Sequence, residues 1–195
     1  MTKKIFIWVA HPNPTSLCAS LADNYQAAAQ TTGAEIRRMN LSEMTFNTDT
    51  FEGYTGDQTA LAPDLKTWQD NMIWADHILL VHPYWWASMP SKAKAVLDQA
   101  LLPGFGFKYH EKGMGWDKLL KGRTGDAIIT SDTPPWLDSL LYRKPGRRVI
   151  KNQIFDFVGI KAKTIVQFGS VKLNGKKRIS SWLKRASDMG TIAAK

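Results

Sequence analysis

The stretch ADHILLVHPYWWASMPSKAKAVLDQA, residues 75–100, carries a strand, a rigid turn and a helix in succession. Ile78, Leu79, Leu80 and Val81 form an unbroken apolar run rather than an alternating one, as expected of a parallel strand covered on both faces. Pro83 and Pro90 then bracket Tyr84, Trp85, Trp86, Ala87, Ser88 and Met89. From Lys92 the apolar residues return at helical spacing, which predicts a helix over 92–101.

The same unit recurs along the chain. Runs at 4–10, 35–41, 77–83, 126–131 and 164–171 predict five strands, and 17–30, 61–75, 92–101, 147–158 and 176–189 predict helices between and after them. Ser16 is placed to cap the first helix, with Gly33 just past its end. Alternating strands and helices imply βαβ crossovers, hence an α/β fold with a doubly wound parallel sheet and helices on both faces. No repeat or linker divides the 195 residues, so 1–195 reads as a single domain. Two segments break the alternation: the polar stretch 47–58, with Gly53 and Gly56, and the glycine- and aromatic-rich stretch 102–124, which reads as a binding loop or lid.

Composition sets outer limits. A hydrophobic fraction of 44% with 22% charged residues is that of a globular chain. Cys18 is the single cysteine, which excludes an internal disulfide and fits a reducing, cytoplasmic setting. No apolar run nears the roughly 18 residues of a membrane span, so the chain is not expected to cross a membrane. The net charge of +9 is uneven: residues 143–195 hold 14 Lys and Arg against Asp156 and Asp188. That field favours an anionic or peripheral protein partner, or simply forms a solvated face. Nucleic acid is not expected, because Trp182 is the only Trp or Tyr in the basic tail.

Ligands of open α/β sheets bind beyond the carboxyl ends of the strands. Three loops leave such ends. His11, Thr15, Ser16, Leu17 and Cys18 surround the start of the first helix, where amides and the helix dipole suit a phosphate, although this loop by itself reads first as a plain Ser16 cap. Neither a dinucleotide fingerprint nor a P-loop is present. Pro83, Tyr84, Trp85, Trp86 and Ala87 offer fixed amides beside aromatic walls, as a flat heterocycle with a polar edge requires; core or interface packing is the alternative for each tryptophan alone. Thr130, Ser131, Asp132 and Thr133 add hydroxyls and amides on a third loop, followed by Pro134, Pro135 and Trp136.

Taken together, WVAHPNPTSLCASLA, WADHILLVHPYWWASMPSKAKAVLDQAL with its continuation LPGFGFKY, and AIITSDTPPW resemble the flavodoxin-like NAD(P)H:quinone oxidoreductase family, in its DTPPW-type bacterial branch. The resemblance runs from Lys4 to about Gly169. It implies a five-stranded sheet of order 2-1-3-4-5, bound FMN or FAD, NADPH or NADH as co-substrate, and a homodimer. It also implies ping-pong transfer of two electrons to a quinone or similar acceptor. The three loops match that family's flavin loops: the first around phosphate and ribityl chain, the second beneath the ring, the third beside it. Better-known members carry Gly-Gly and then a tyrosine in the third loop; here Asp132 and Thr133 replace the glycines and the tyrosine is missing. That departure points to FMN over FAD, or to another substrate branch, and leaves the catalytic residues unassigned, with Tyr142 and His110 as nearby candidates. Arg147 and Arg148 are candidates for the NADPH 2′-phosphate, by bidentate contact. An electron carrier, or a regulatory flavoprotein subunit of a membrane transporter, is the alternative function.

Overall fold

The computed structural model describes residues 2–49, 53 and 60–195. Five parallel strands form the central sheet: β1 (Lys4–Val9), β2 (Glu35–Asn40), β3 (His77–Pro83), β6 (Thr124–Thr130) and β7 (Lys161–Phe168). Their order is β2-β1-β3-β6-β7. That is the expected 2-1-3-4-5 arrangement once a separate hairpin, β4 (Phe107–Tyr109) with β5 (Trp116–Lys118), is set aside. Helices α1 (Leu17–Thr31), α2 (Pro63–Trp74), α3 (Ser91–Ala100), α4 (Pro135–Leu140), α5 (Pro145–Arg148), α6 (Asp156–Val158) and α7 (Lys176–Ala193) complete the chain.

The apolar runs are continuous because each face of the sheet has its own core. Along β1, Phe6 and Trp8 pack with Leu65, Trp68, Val96 and Ile150 on the side of α2 and α3. The intervening Ile5, Ile7 and Val9 pack with Leu21, Tyr25, Trp182 and Ala186 on the side of α1 and α7. α1 and α7 lie so close that a Cβ on Gly190 would fall 2.2 Å from the Tyr25 carbonyl oxygen, so only glycine fits there.

Several boundaries differ from those the sequence suggests. The fourth sheet strand begins at Thr124, two residues early, and the last spans Lys161–Phe168 rather than 164–171. The last strand stops because Ser170 turns to φ 58° and a short 3₁₀ turn, Val171–Leu173, follows. The helix expected at 147–158 is broken into α5, a π-helical stretch Val149–Phe155 and α6. The segment 102–124 is not a structureless loop: β4 and β5 pair antiparallel. Phe107 and Trp116 pack on Phe157, with ring centroids 4.9 and 4.7 Å apart, and Trp116 Nε1–H donates to the Phe157 carbonyl at 2.8 Å. This hairpin is therefore anchored on the α6 side of the molecule. Most of the polar stretch 47–58 lies outside the described residues. Among the described residues no helix is long and apolar enough to cross a membrane.

Candidate functional site at the carboxyl end of the sheet

The first loop is organised from within. Asn13 N–H donates to His11 Nδ1 at 2.9 Å, and Asn13 Oδ1 accepts from both the amide and the hydroxyl of Thr15, each at 2.9 Å. Ser16 caps α1: its Oγ accepts from Ala19 N–H at 3.2 Å. The preceding amides, those of Leu17 and Cys18, have no acceptor among the described residues and stand at the positive end of a 15-residue helix. Burial lowers the His11 pKa from the ordinary histidine value, partly offset by the Asn13 hydrogen bond.

The second loop is a two-residue reverse turn of unusual composition. Trp85 N–H donates to Ser88 O at 2.8 Å and Ser88 N–H donates back to Trp85 O at 2.9 Å. Trp86 and Ala87 between them take φ of 50° and 60°. Two adjacent left-handed residues favour Asn and Gly, and neither is present here, so the turn holds strain on the order of 1–3 kcal/mol per residue. Their N–H groups have no acceptor among the described residues. Trp86 is fully exposed, so it contributes nothing to this chain's core.

What overrides the local preference is the anchoring on either side. Tyr84 N–H donates to Thr130 O at 2.7 Å, tying the turn to the third loop. The Tyr84 hydroxyl accepts from Gly146 N–H at 3.2 Å and lies 3.4 Å from Asp138 Oδ1, to which it donates. Asp138 is buried and takes Arg147 Nη2–H on its other oxygen at 2.9 Å. Gly146 lies so near Tyr84 that a Cβ there would meet the ring at 2.3 Å. His82, fully buried at the end of β3, donates from Nδ1–H to the Pro83 carbonyl at 2.8 Å. Burial brings its pKa down to about 4.

The third loop closes the group. Thr130 Oγ1 lies 3.3 Å from Cys18 Sγ, joining it to the first loop, and burial pushes the Cys18 thiol up to about 12. Ser131 is buried: its hydroxyl donates to Thr133 O and accepts from Gln167 Nε2–H, at 2.8 and 2.9 Å. Asp132 turns outward to Lys172, whose ammonium and amide lie at 3.0 and 3.2 Å and hold its pKa low. His11 meets Trp85 edge to face, centroids 5.6 Å apart. The three loops expected to converge are thus joined by direct contacts.

The other candidates lie differently. Arg147 is turned inward, with Nη2 shared among Asp138, Ser139 and Pro135, whereas Arg148 is exposed. Tyr142 is exposed between α4 and α5. His110 sits on the hairpin, 3.2 Å from Asp117. Sequence reasoning missed Asp138 and Gly146, which position Tyr84; a lone acid in the amphipathic PWLDSL carried no signal of its own. Beyond the third loop a groove of about 740 Å³ runs along Phe168 and Gly169 between Trp136, Trp182, Arg178 and Arg185.

The family model Flavodoxin_2, flavodoxin-like fold, matches residues 3–189. A Haemophilus influenzae protein named uncharacterized NAD(P)H oxidoreductase is 27% identical over 184 residues, covering 91% of this chain and 89% of that one. The solved NAD(P)H:quinone oxidoreductase of Methanothermobacter marburgensis superposes with a TM-score of 0.82 at 18% identity, over 98% of both chains. An FMN-dependent NADH-azoreductase from Bacillus anthracis, solved in complex with FMN, gives a TM-score of 0.73 at 18% identity over the full length of both.

Proposed function

The chain belongs to the Flavodoxin_2 family, and on that premise we propose that it is a flavin-dependent NAD(P)H oxidoreductase that reduces a quinone or similar small acceptor. The observation that carries this reading is the pair of unpartnered amides at Trp86 and Ala87, held in a strained turn and joined through Thr130 to the amides opening α1. A ring with a polar edge and a phosphate tail fits both donor sets at once. The names of the relatives agree with it: an NAD(P)H oxidoreductase, a quinone oxidoreductase and an FMN-dependent azoreductase.

When bound, the flavin supplies two-electron transfer between NAD(P)H and the acceptor. The residues of this chain do the rest. The Leu17 and Cys18 amides, with the Ser16 hydroxyl, would hold the phosphate at the positive end of α1, and Thr15, whose amide and hydroxyl both donate to Asn13, would shape the loop beside it. Pro83, Tyr84, Trp85, Trp86 and Ala87 would form the platform, and the two free amides would stabilise negative charge on the ring's edge. Thr130, Ser131, Asp132 and Thr133 bound the opposite side. Tyr84 is held in register by Asp138, Gly146 and Arg147, which are positioning residues. Arg148 is the exposed cation for a 2′-phosphate, with Arg147 packed behind it. The three loops would hold FMN, the flavin favoured by the departure at Asp132 and Thr133. A homodimer would cover Trp86, Trp136, Leu140 and Leu141, all of them exposed in the single chain.

The test is the visible spectrum of purified protein before and after anaerobic NADPH, with the released flavin chromatographed against FMN and FAD. Bleaching within seconds supports the oxidoreductase. A flavin that stays oxidised moves the reading to an electron carrier or regulatory subunit. Protein that refuses both flavins removes the platform altogether. Arg148→Ala is expected to narrow the preference for NADPH over NADH, read from the ratio of kcat/KM values.

A further inference from the structure

At the opposite, amino-terminal end of the sheet the core on the α1 and α7 side does not end in apolar residues. His77 opens β3 beside Thr124 of β6, with Asp126 and Thr164 next in line across the sheet. Asp126 is almost fully buried. Its Oδ1 accepts from Thr164 N–H at 2.9 Å and its Oδ2 from the Tyr25 hydroxyl at 3.2 Å. His77 Nδ1 meets the Thr124 hydroxyl at 2.7 Å. Its Nε2 lies 3.4 Å from Asp126 Oδ2, yet makes no hydrogen bond of proper geometry and is buried without a partner.

His77, Thr124, Asp126 and Thr164 line a cavity of about 320 Å³, walled by Met189, Ile192 and Ala193. Lys3, Lys163, Arg185 and Lys195 also line it, and among the described residues none of the four has a carboxylate within ion-pair distance. The carboxyl end of α7 accounts for little of this clustering. A helix terminus offers roughly half a charge and on the order of 1 kcal/mol, enough to favour one cation near it, not four from three parts of the chain. Four cations gathered above one buried carboxylate, Asp126, repel one another.

We infer that this cavity is a second ligand site, separate from the three loops, and that it takes a small hydroxylated phosphate ester of sugar-phosphate size. The phosphate lies among the lysines and Arg185 at the mouth, where charge-assisted bonds are strongest. The hydroxyls reach the floor, where the Asp126 carboxylate has acceptor positions beyond the two in use and His77 and Thr124 offer further partners. The volume lies at the small end of the range for small-molecule sites, which suits a monosaccharide phosphate and is too small for a dinucleotide.

Calorimetric titration of the flavin-loaded protein with ribose 5-phosphate, inorganic phosphate and ribose tests this. One equivalent of ribose 5-phosphate binds per chain, at least about tenfold more tightly than inorganic phosphate, and ribose alone does not bind measurably. The double variant Lys163→Glu, Lys195→Glu, both at exposed positions, weakens the ester at least about tenfold while flavin content and NADPH oxidation stay unchanged. Asp126→Asn, or Thr124→Val if the first folds poorly, weakens the ester and leaves inorganic phosphate unaffected. Absence of binding, binding unaltered by the double variant, or equal affinity for ester and inorganic phosphate would each overturn the assignment. The titration reads this cavity whether or not the loaded protein oxidises NADPH, so failure here and failure of the oxidoreductase reading are separate results.

Discussion

The two ends of the sheet use opposite means to hold polar groups. At the carboxyl end, backbone amides are left open on a strained turn and the side chains around them are fixed by partners of their own: Tyr84 by Asp138, far along the chain, and His82 by the adjacent Pro83 carbonyl. At the amino end the polarity resides in buried side chains, Asp126 with Tyr25 and His77, beside an irregularity in the strand pairing at Gly125 and Asp126. An open amide array needs scaffolding but little charge, so its loss removes binding before it removes the fold. A buried carboxylate is part of the core, so its loss is first a loss of stability.

Substitutions separate the two ends. Asp126→Ala leaves the Tyr25 hydroxyl and Thr164 amide buried without an acceptor, and is expected to lower the unfolding free energy by about 4 kcal/mol in urea titration, with little change in flavin affinity of the folded fraction. Gly146→Ala drives a methyl into Tyr84 and is expected to reverse that pattern. Overpacking costs about 2 kcal/mol, while flavin affinity, followed by fluorescence quenching, falls at least about tenfold as the platform shifts.

Acid acts on the carboxyl end through His82. Its folded pKa of about 4 lies below the ordinary histidine value of about 6.5, so between those pH values the unfolded chain binds the extra proton. The stability it contributes is full above about pH 6.5 and is lost as pH falls toward 4; on this account the unfolding free energy drops by about 2 kcal/mol between pH 7 and pH 5. His82→Asn, which keeps a donor to Pro83 without titrating, should flatten that slope. The smallest effect is expected at the turn. Trp86→Gly relieves one left-handed residue and raises stability by about 1 kcal/mol in thermal melts, while NADPH oxidation slows because the ordered platform is lost.

Much of the fold was legible because each strand carried its burial in its composition: the apolar run Ile78–Val81 can lie only between two covered faces. The three loops were legible for the same reason, since each leaves the carboxyl end of such a run. The turn at Trp86 and Ala87 was not, since nothing in a Trp-Ala pair announces positive φ; the conformation is imposed by the Tyr84–Thr130 and Trp85–Ser88 bonds. The β4–β5 hairpin escaped because three-residue strands are too short to show a period, and Phe157, which holds them, lies about forty residues away. The amino-end cluster did leave a trace: Asp126 is the lone carboxylate of β6, set directly before the apolar Ala127, Ile128 and Ile129, a position that asks for buried partners.

Cys18 has a practical consequence. With its thiol at about 12 and its side chain sealed against Thr130, about one molecule in 10⁵ carries a thiolate at neutral pH. To an alkylating dye the folded chain is therefore blank. A cysteine installed at an exposed position such as Met114 would be labelled alone, without first removing a native one. Run without that addition, the same reaction becomes a clock: each slow alkylation of Cys18 records one opening of α1 away from the sheet.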